Sequence, residues 1–244
     1  MKEGAEKNNQ WKKFYLFGGY TAFIVFGLTL SDIIIGSMNS VDLTLLPQTA
    51  TERFLEFQES WFIGLYHLDM LNVIISIAMI PVFFALTELH RETKPATSLL
   101  ALILFLVSTT IFITTNTALP MLELSEKYFS TTNETQRTLY TAAGEALLAR
   151  GEHGTPGVFL GFFLLTLSNL LISFVMLNAK IFKNVVGYLG IIGSFSLLIY
   201  IFLITFIPGI KSIAVIIAAP GGIIILTWYF LIALKLINVG RENK

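Results

Sequence analysis

Cysteine is missing from this chain of 244 residues. That excludes disulfides, iron–sulfur clusters and thiol nucleophiles, and says nothing about redox compartment. Charge is scarce: charged residues make up 13% of the chain, about half the share of a soluble domain. Acidic and basic residues are equal in number, so net charge is zero and nothing favours nucleic acid. Histidines number only three. There is no H-E-x-x-H, and no G-x-S-x-G nucleophile elbow. Gly193-Ser194-Phe195-Ser196 is not one.

Apolar residues fill the space that charge leaves. They make up 55% of the chain, and mean hydropathy is +0.74. They come in blocks near the roughly 20 residues that a bilayer requires. The blocks are Phe14–Gly36, Trp61–Thr87, Ala96–Leu119, Gly157–Leu177, Val185–Ile207 and Ser212–Ile237. They predict an all-α, single-domain, multi-pass membrane protein with a bundle of six transmembrane helices. Lys12 and Lys13 precede the first block as a signal peptide's basic region would. The block is too long for one and lacks a small-x-small cleavage site, so it reads as the first span.

Basic residues set the orientation. With a cytoplasmic N-terminus the inner side holds Lys2, Lys7, Lys12, Lys13, Arg91, Lys94, Lys180, Lys183, Lys235, Arg241 and Lys244. The outer side keeps Arg53, Lys127, Arg137, Arg150 and Lys211. Acids such as Asp42, Glu56, Glu145 and Glu152 also fall outside. Both termini are therefore expected in the cytoplasm of a cell membrane. The inner turns Leu89–Pro95 and Asn178–Asn184 make helices two and three neighbours, and likewise four and five.

The outer segments are longer. Thr51–Glu59 reads as a short amphipathic helix with Phe54, Leu55 and Phe57 among acids. Between helices three and four, Thr131 and Glu134 read as a capping box that opens a helix ending near Arg150. Its apolar face would be Leu139, Ala143, Ala146 and Leu147.

Polar residues inside the spans are the functional candidates, because they are costly in lipid. On a continuous helix two, Tyr66, Asp69, Asn72 and Ser76 share one face. With Asn116 on helix three, and Asp32 and Asn169 further off, they outline an outward-facing polar pocket. The competing reading is polar glue between helices. No cofactor is called for, yet zinc is not excluded. His67 and His153 are weak ligand candidates beside Asp32, Asp69, Glu145 or Glu152. His90 lies some 30 Å away at 1.5 Å per residue. Gly187, Gly190 and Gly193 read as a close-packing face on helix five. Pro81 should kink helix two, and Pro220-Gly221-Gly222 should interrupt helix six.

The run Leu65-Tyr66-His67-Leu68-Asp69-Met70-Leu71-Asn72 resembles that of prokaryotic membrane proteins grouped as domain-of-unknown-function family 4386. So do Asn116-Thr117-Ala118-Leu119-Pro120-Met121-Leu122, the segment Thr138–Ala149 and Ser173-Phe174-Val175-Met176-Leu177. The resemblance implies a bacterial or archaeal membrane and six helices, and it carries no activity.

The leading functional expectation is a pocket for a lipid or other amphiphile, anchored on Asp69. The alternatives are a small proton-coupled transporter, a metal-dependent membrane hydrolase, and a structural or interaction protein. Membrane lipids are the expected partners, and a homo-oligomer is open.

Overall fold

The computed structural model describes residues 2–38 and 47–242. Asp42 and Lys244, used above for orientation, lie outside them. The described chain is helical throughout its regular structure. Its elements are α1 (Lys2–Met38), α2 (Ala50–Glu59), α3 (Trp61–His67), α4 (Met70–Leu89), α5 (Pro95–Thr115), α6 (Ala118–Ser130), α7 (Glu134–Gly151), α8 (Pro156–Ala179), α9 (Asn184–Phe206) and α10 (Lys211–Arg241).

Six stretches, carried by α1, α4, α5, α8, α9 and α10, are long and apolar enough to cross a membrane. Each packs against the next in sequence, and α10 closes the ring against α1. Short turns join α4 to α5 and α8 to α9, so those pairs are neighbours as expected. The centre is apolar: Val82, Phe83, Phe105, Ile172, Met176, Trp228 and Ile232 are buried in one cluster. Phe83 and Phe105 stack at 4.1 Å across α4 and α5. The outside is apolar as well, with Phe17, Ile24, Ile74, Ile103, Phe195 and Ile216 exposed. A belt of that kind is stable only against lipid or another protein.

Polar side chains join helices here and there. Ser168 donates to the Ala101 carbonyl (2.7 Å) and Ser108 to that of Gly161 (2.8 Å), tying α8 to α5. The glycine face on α9 is used as the spacing predicts. A β-carbon on Gly187 would meet Leu177, one on Gly193 would meet Ile225, and one on Gly190 would run into Ser173 and Trp228.

Four expectations need correction. Helix two is not continuous: it breaks between α3 and α4. Helix six is not interrupted: α10 runs through Pro220 without a gap. Proline removes one backbone bond, which a membrane helix absorbs by local adjustment. The helix in the long connection starts at Asn133, not Thr131, because the Asn133 carboxamide reaches both Thr135 N (2.9 Å) and Gln136 N (3.3 Å). The Thr131 hydroxyl turns instead to Gln136 (2.7 Å). The buried face of α7 is Gly144, Leu148 and Gly151, while Leu139, Ala143 and Ala146 are exposed.

A second helix, α6, occupies the start of that connection. Together α2, α6 and α7 cover one end of the bundle, which we call the capped end. Phe54 and Phe57 of α2 are buried against Met121, Leu148 and Leu68, whereas Leu55 faces outward. A capping box does form at the start of α2, between Thr49 and Glu52, where the sequence reading placed none.

Candidate functional site

The break in helix two builds the site. Leu68 leaves the helical region (φ −101°, ψ 32°), and Asp69 sits in the left-handed region (φ 61°, ψ 20°). A side chain other than glycine adopts that region at a cost, which aspartate and asparagine bear best. The carbonyl freed at Leu68 is not wasted. Asn116, at the end of α5, donates to it from Nδ2 (2.8 Å), and its own Oδ1 accepts the Ala118 amide (3.1 Å). One asparagine thus satisfies the ends of two helices at once.

The turn aims the Asp69 carboxylate inward. Its Oδ1 accepts from Asn72 Nδ2 (2.8 Å), and its Oδ2 lies 3.0 Å from His153 Nδ1. The far nitrogen of His153, Nε2, lies 2.8 Å from the hydroxyl of Tyr200 on α9. With a proton on Nδ1 donated to Asp69, Nε2 accepts from Tyr200; a second proton makes both nitrogens donors. Carboxylate, imidazole and phenol so form one line. The Asp69 side chain is 13% exposed and that of His153 is 27% exposed, so the histidine is the more accessible member of the pair.

His153 arrives from the turn between α7 and α8. Thr155 N bonds Glu152 O (3.1 Å), which tightens that turn. Gly154 has φ 83°, and a β-carbon there would press on Ile204 of α9 at 3.0 Å. The imidazole meets Phe162 edge-on at 4.9 Å, which fixes its ring plane.

A second ionic line lies beside the first. Arg53 on α2 is 2% exposed and donates to Glu56 (3.1 Å) and to Glu152 (2.9 Å). Glu56 in turn takes His67 Nδ1 at 2.6 Å. Burial pushes the Glu56 carboxyl up, but the His67 hydrogen bond and the Arg53 charge outweigh it and hold it below its ordinary value. Glu145 accepts the Ala50 amide (2.7 Å), and Ser125 donates to the Phe54 carbonyl (2.9 Å). These bonds lock α2 onto α6, α7 and the turn that carries His153.

The expected site residues therefore divide. Asp69 and Asn72 meet directly, and Asn116 supports them through Leu68. Tyr66 turns away to donate to the backbone carbonyl of Asp32 (3.1 Å). Asn169 is buried on α8, about 20 Å along the helix from Pro156. His67 and His153 each take a separate carboxylate. Among the described residues no three His, Asp or Glu side chains gather as metal ligands would. Tyr200 and Arg53 were not anticipated. Tyr200 had a signal, a lone hydroxyl in the run Leu197–Ile204; Arg53 had one too, a cation three residues before Glu56.

The model of a protein family described as Domain of unknown function (DUF4386) matches residues 15–234. The chain belongs to that family. The DUF4386 match takes in the broken helix, the capped end, His153 and Tyr200, so the whole site lies within the family's domain. No curated protein and no solved structure matches the chain.

Proposed function

We propose that this DUF4386 protein is a small proton-coupled transporter, with the Asp69–His153 pair as the proton carrier. The observation that carries the reading is the line from Asp69 through His153 to Tyr200, set at a helix break. Ionisable groups persist inside membrane bundles mostly where they work. Interrupted helices are where carriers hold ions and substrates. Protonating Asp69 turns an acceptor oxygen into a donor and weakens its hold on both Asn72 and His153. The turn that carries His153 is then free to shift against α4.

The test is electrical recording from proteoliposomes on a solid-supported membrane. A pH step is applied with a panel of small organic acids, amines and sugars. We expect a solute-dependent current that disappears in Asp69→Asn and in His153→Gln. Silence for the whole panel, or a current indifferent to both variants, would overturn the reading.

A second reading, binding of a lipid or other amphiphile, is favoured by a different place. A groove of about 500 Å³ between α6 and α7 is lined by Pro120, Leu124, Ala143, Ala146 and Leu147, with Glu123 and Arg150 as its charged members. The head-group residues first expected, Tyr66, Asp69, Asn72 and Asn116, are instead engaged with one another, with His153 or with backbone. Native mass spectrometry from nanodiscs separates the readings: a phospholipid retained by the wild type and lost in Ala146→Trp supports the groove, and unchanged retention counts against it.

We place the capped end outside the cell and both termini in the cytoplasm of a prokaryotic cell. The lysine and arginine bias supports that orientation.

A further inference from the structure

Three buried polar atoms without a partner lie on the packed helices α8, α9 and α10, away from the site above. They are Asn169 Oδ1 on α8, Ser194 Oγ on α9 and Trp228 Nε1 on α10. Asn169 is 2% exposed, and Ser194 and Trp228 are fully buried. Their closeness follows from register. A β-carbon on Gly190 would run into Ser173 Oγ and lie 2.7 Å from Trp228 Nε1, so Ser173, Gly190 and Trp228 share one level. Helices α8 and α9 join through a short turn and run antiparallel. One turn towards the capped end, Ser173 gives way to Asn169 and Gly190 to Ser194. Ser173 Oγ already donates to the Asn169 backbone carbonyl (2.7 Å), so it is not the partner of the Asn169 side-chain oxygen. The Asn169 side chain also hydrogen-bonds Tyr229 of α10, which leaves its Oδ1 as the unpartnered atom.

The three orphan groups are one acceptor, one donor and one hydroxyl that can serve as either. Buried polar groups are almost always satisfied, and three unsatisfied together in a membrane interior would be costly. An apolar ligand would satisfy none of them. A cation would be repelled by the indole N–H, and no carboxylate is beside it to compensate. A single water molecule offers two donors and two acceptors and suits the set.

We infer that Asn169, Ser194 and Trp228 hold an internal water between α8, α9 and α10. Tyr200 lies six residues beyond Ser194 on α9, about 9 Å along the helix. The hydration site therefore lies deeper in the bundle than the polar line of Asp69, His153 and Tyr200, on helices that include the one carrying Tyr200. Its use by protons rests on the transport reading; its existence does not.

Hydroxyl-radical footprinting by X-ray pulse, on the full chain in nanodiscs, tests the inference. Radicals formed from a held water label the side chains that touch it, however buried. After correction for residue type, Trp228 and Tyr229 are expected to react several-fold faster than Phe83 and Phe105, which share the same core. Ser194→Ala, a change small enough to keep the fold, should lower the Trp228 rate towards theirs. Trp228 reacting no faster than Phe83 in the wild type overturns the site, and so does a rate that ignores both Ser194→Ala and Asn169→Leu. The readout is hydration alone, so a failed transport assay leaves it intact and its own failure leaves transport standing.

Discussion

Asp69 carries two demands at once, a left-handed backbone and a negative charge. The substitutions that separate them have a definite order. Asp69→Gly relieves the backbone and loses the charge; Asp69→Ala loses both. The alanine variant should be less stable than the glycine variant by about 1 kcal/mol, the cost of a β-carbon in that region. Thermal unfolding in detergent measures the gap, and equal melting temperatures would show that the break relaxes. Arg53 poses a different problem. It is a buried cation between Glu56 and Glu152. Removing one partner of such a set strands the others, at about 3 kcal/mol. Arg53→Ala is expected to show that loss, and Arg53→Lys to recover little of it, because an ammonium cannot fork between two carboxylates. Full recovery by lysine would mean that charge alone matters.

At the scale of elements, α2 is held by ionic contacts as much as by Phe54 and Phe57. Glu56 is kept ionised more readily in the folded state than in the unfolded chain. Its stabilising effect is complete above the ordinary glutamate value of about 4.3. It is lost as pH falls from there through the lower folded value. Wild type should therefore melt higher than Glu56→Gln at pH 7, and the difference should shrink as pH falls below the ordinary glutamate value. A constant difference would mean that Glu56 contributes shape and not charge. Helix α9 offers a test of packing. Gly190→Ala would force a β-carbon into Ser173 and Trp228, whereas Gly222→Ala meets nothing within 4 Å. The first should destabilise the bundle. The second should be neutral or gain up to about 1 kcal/mol of helix propensity. Comparable losses at both positions would show that the glycine face is not the seam between α8, α9 and α10.

For the whole molecule the ring of six spans makes one strong topological statement. An even number of crossings puts both termini on one side and the cap of α2, α6 and α7 on the other. The chain has no cysteine, so single cysteines can be placed as reporters without background. In intact cells, a cysteine at Thr138 on α7 should react with an impermeant maleimide, and one at Lys94 or Lys183 should react only after lysis. The reverse pattern would invert the orientation and set the Asp69 line facing the cytoplasm.

Much of this was legible in the amino-acid sequence, and the reasons are local. Span number depends on apolar run length. Which neighbours pack depends on the short turns at Leu89–Pro95 and Asn178–Asn184. The α9 glycine face depends on helical spacing. Asp69, Asn72 and Asn116 stood out because a polar group inside an apolar run must find a partner. What that partner is lay beyond the sequence. Periodicity continued smoothly through Leu68 and Asp69, and the partner of the carbonyl that the break frees, the Asn116 carboxamide, lies 48 residues away. His153 looked like a loop residue until the turn that carries it docked against Ile204 and Phe162. Tyr200 and Arg53 gained meaning only from residues 47 and 99 positions distant. Chain composition sets the environment of each segment, because transfer into lipid is a property of the segment itself. Tertiary packing decides which polar groups meet, because a hydrogen bond depends on where two segments end up and on neither alone.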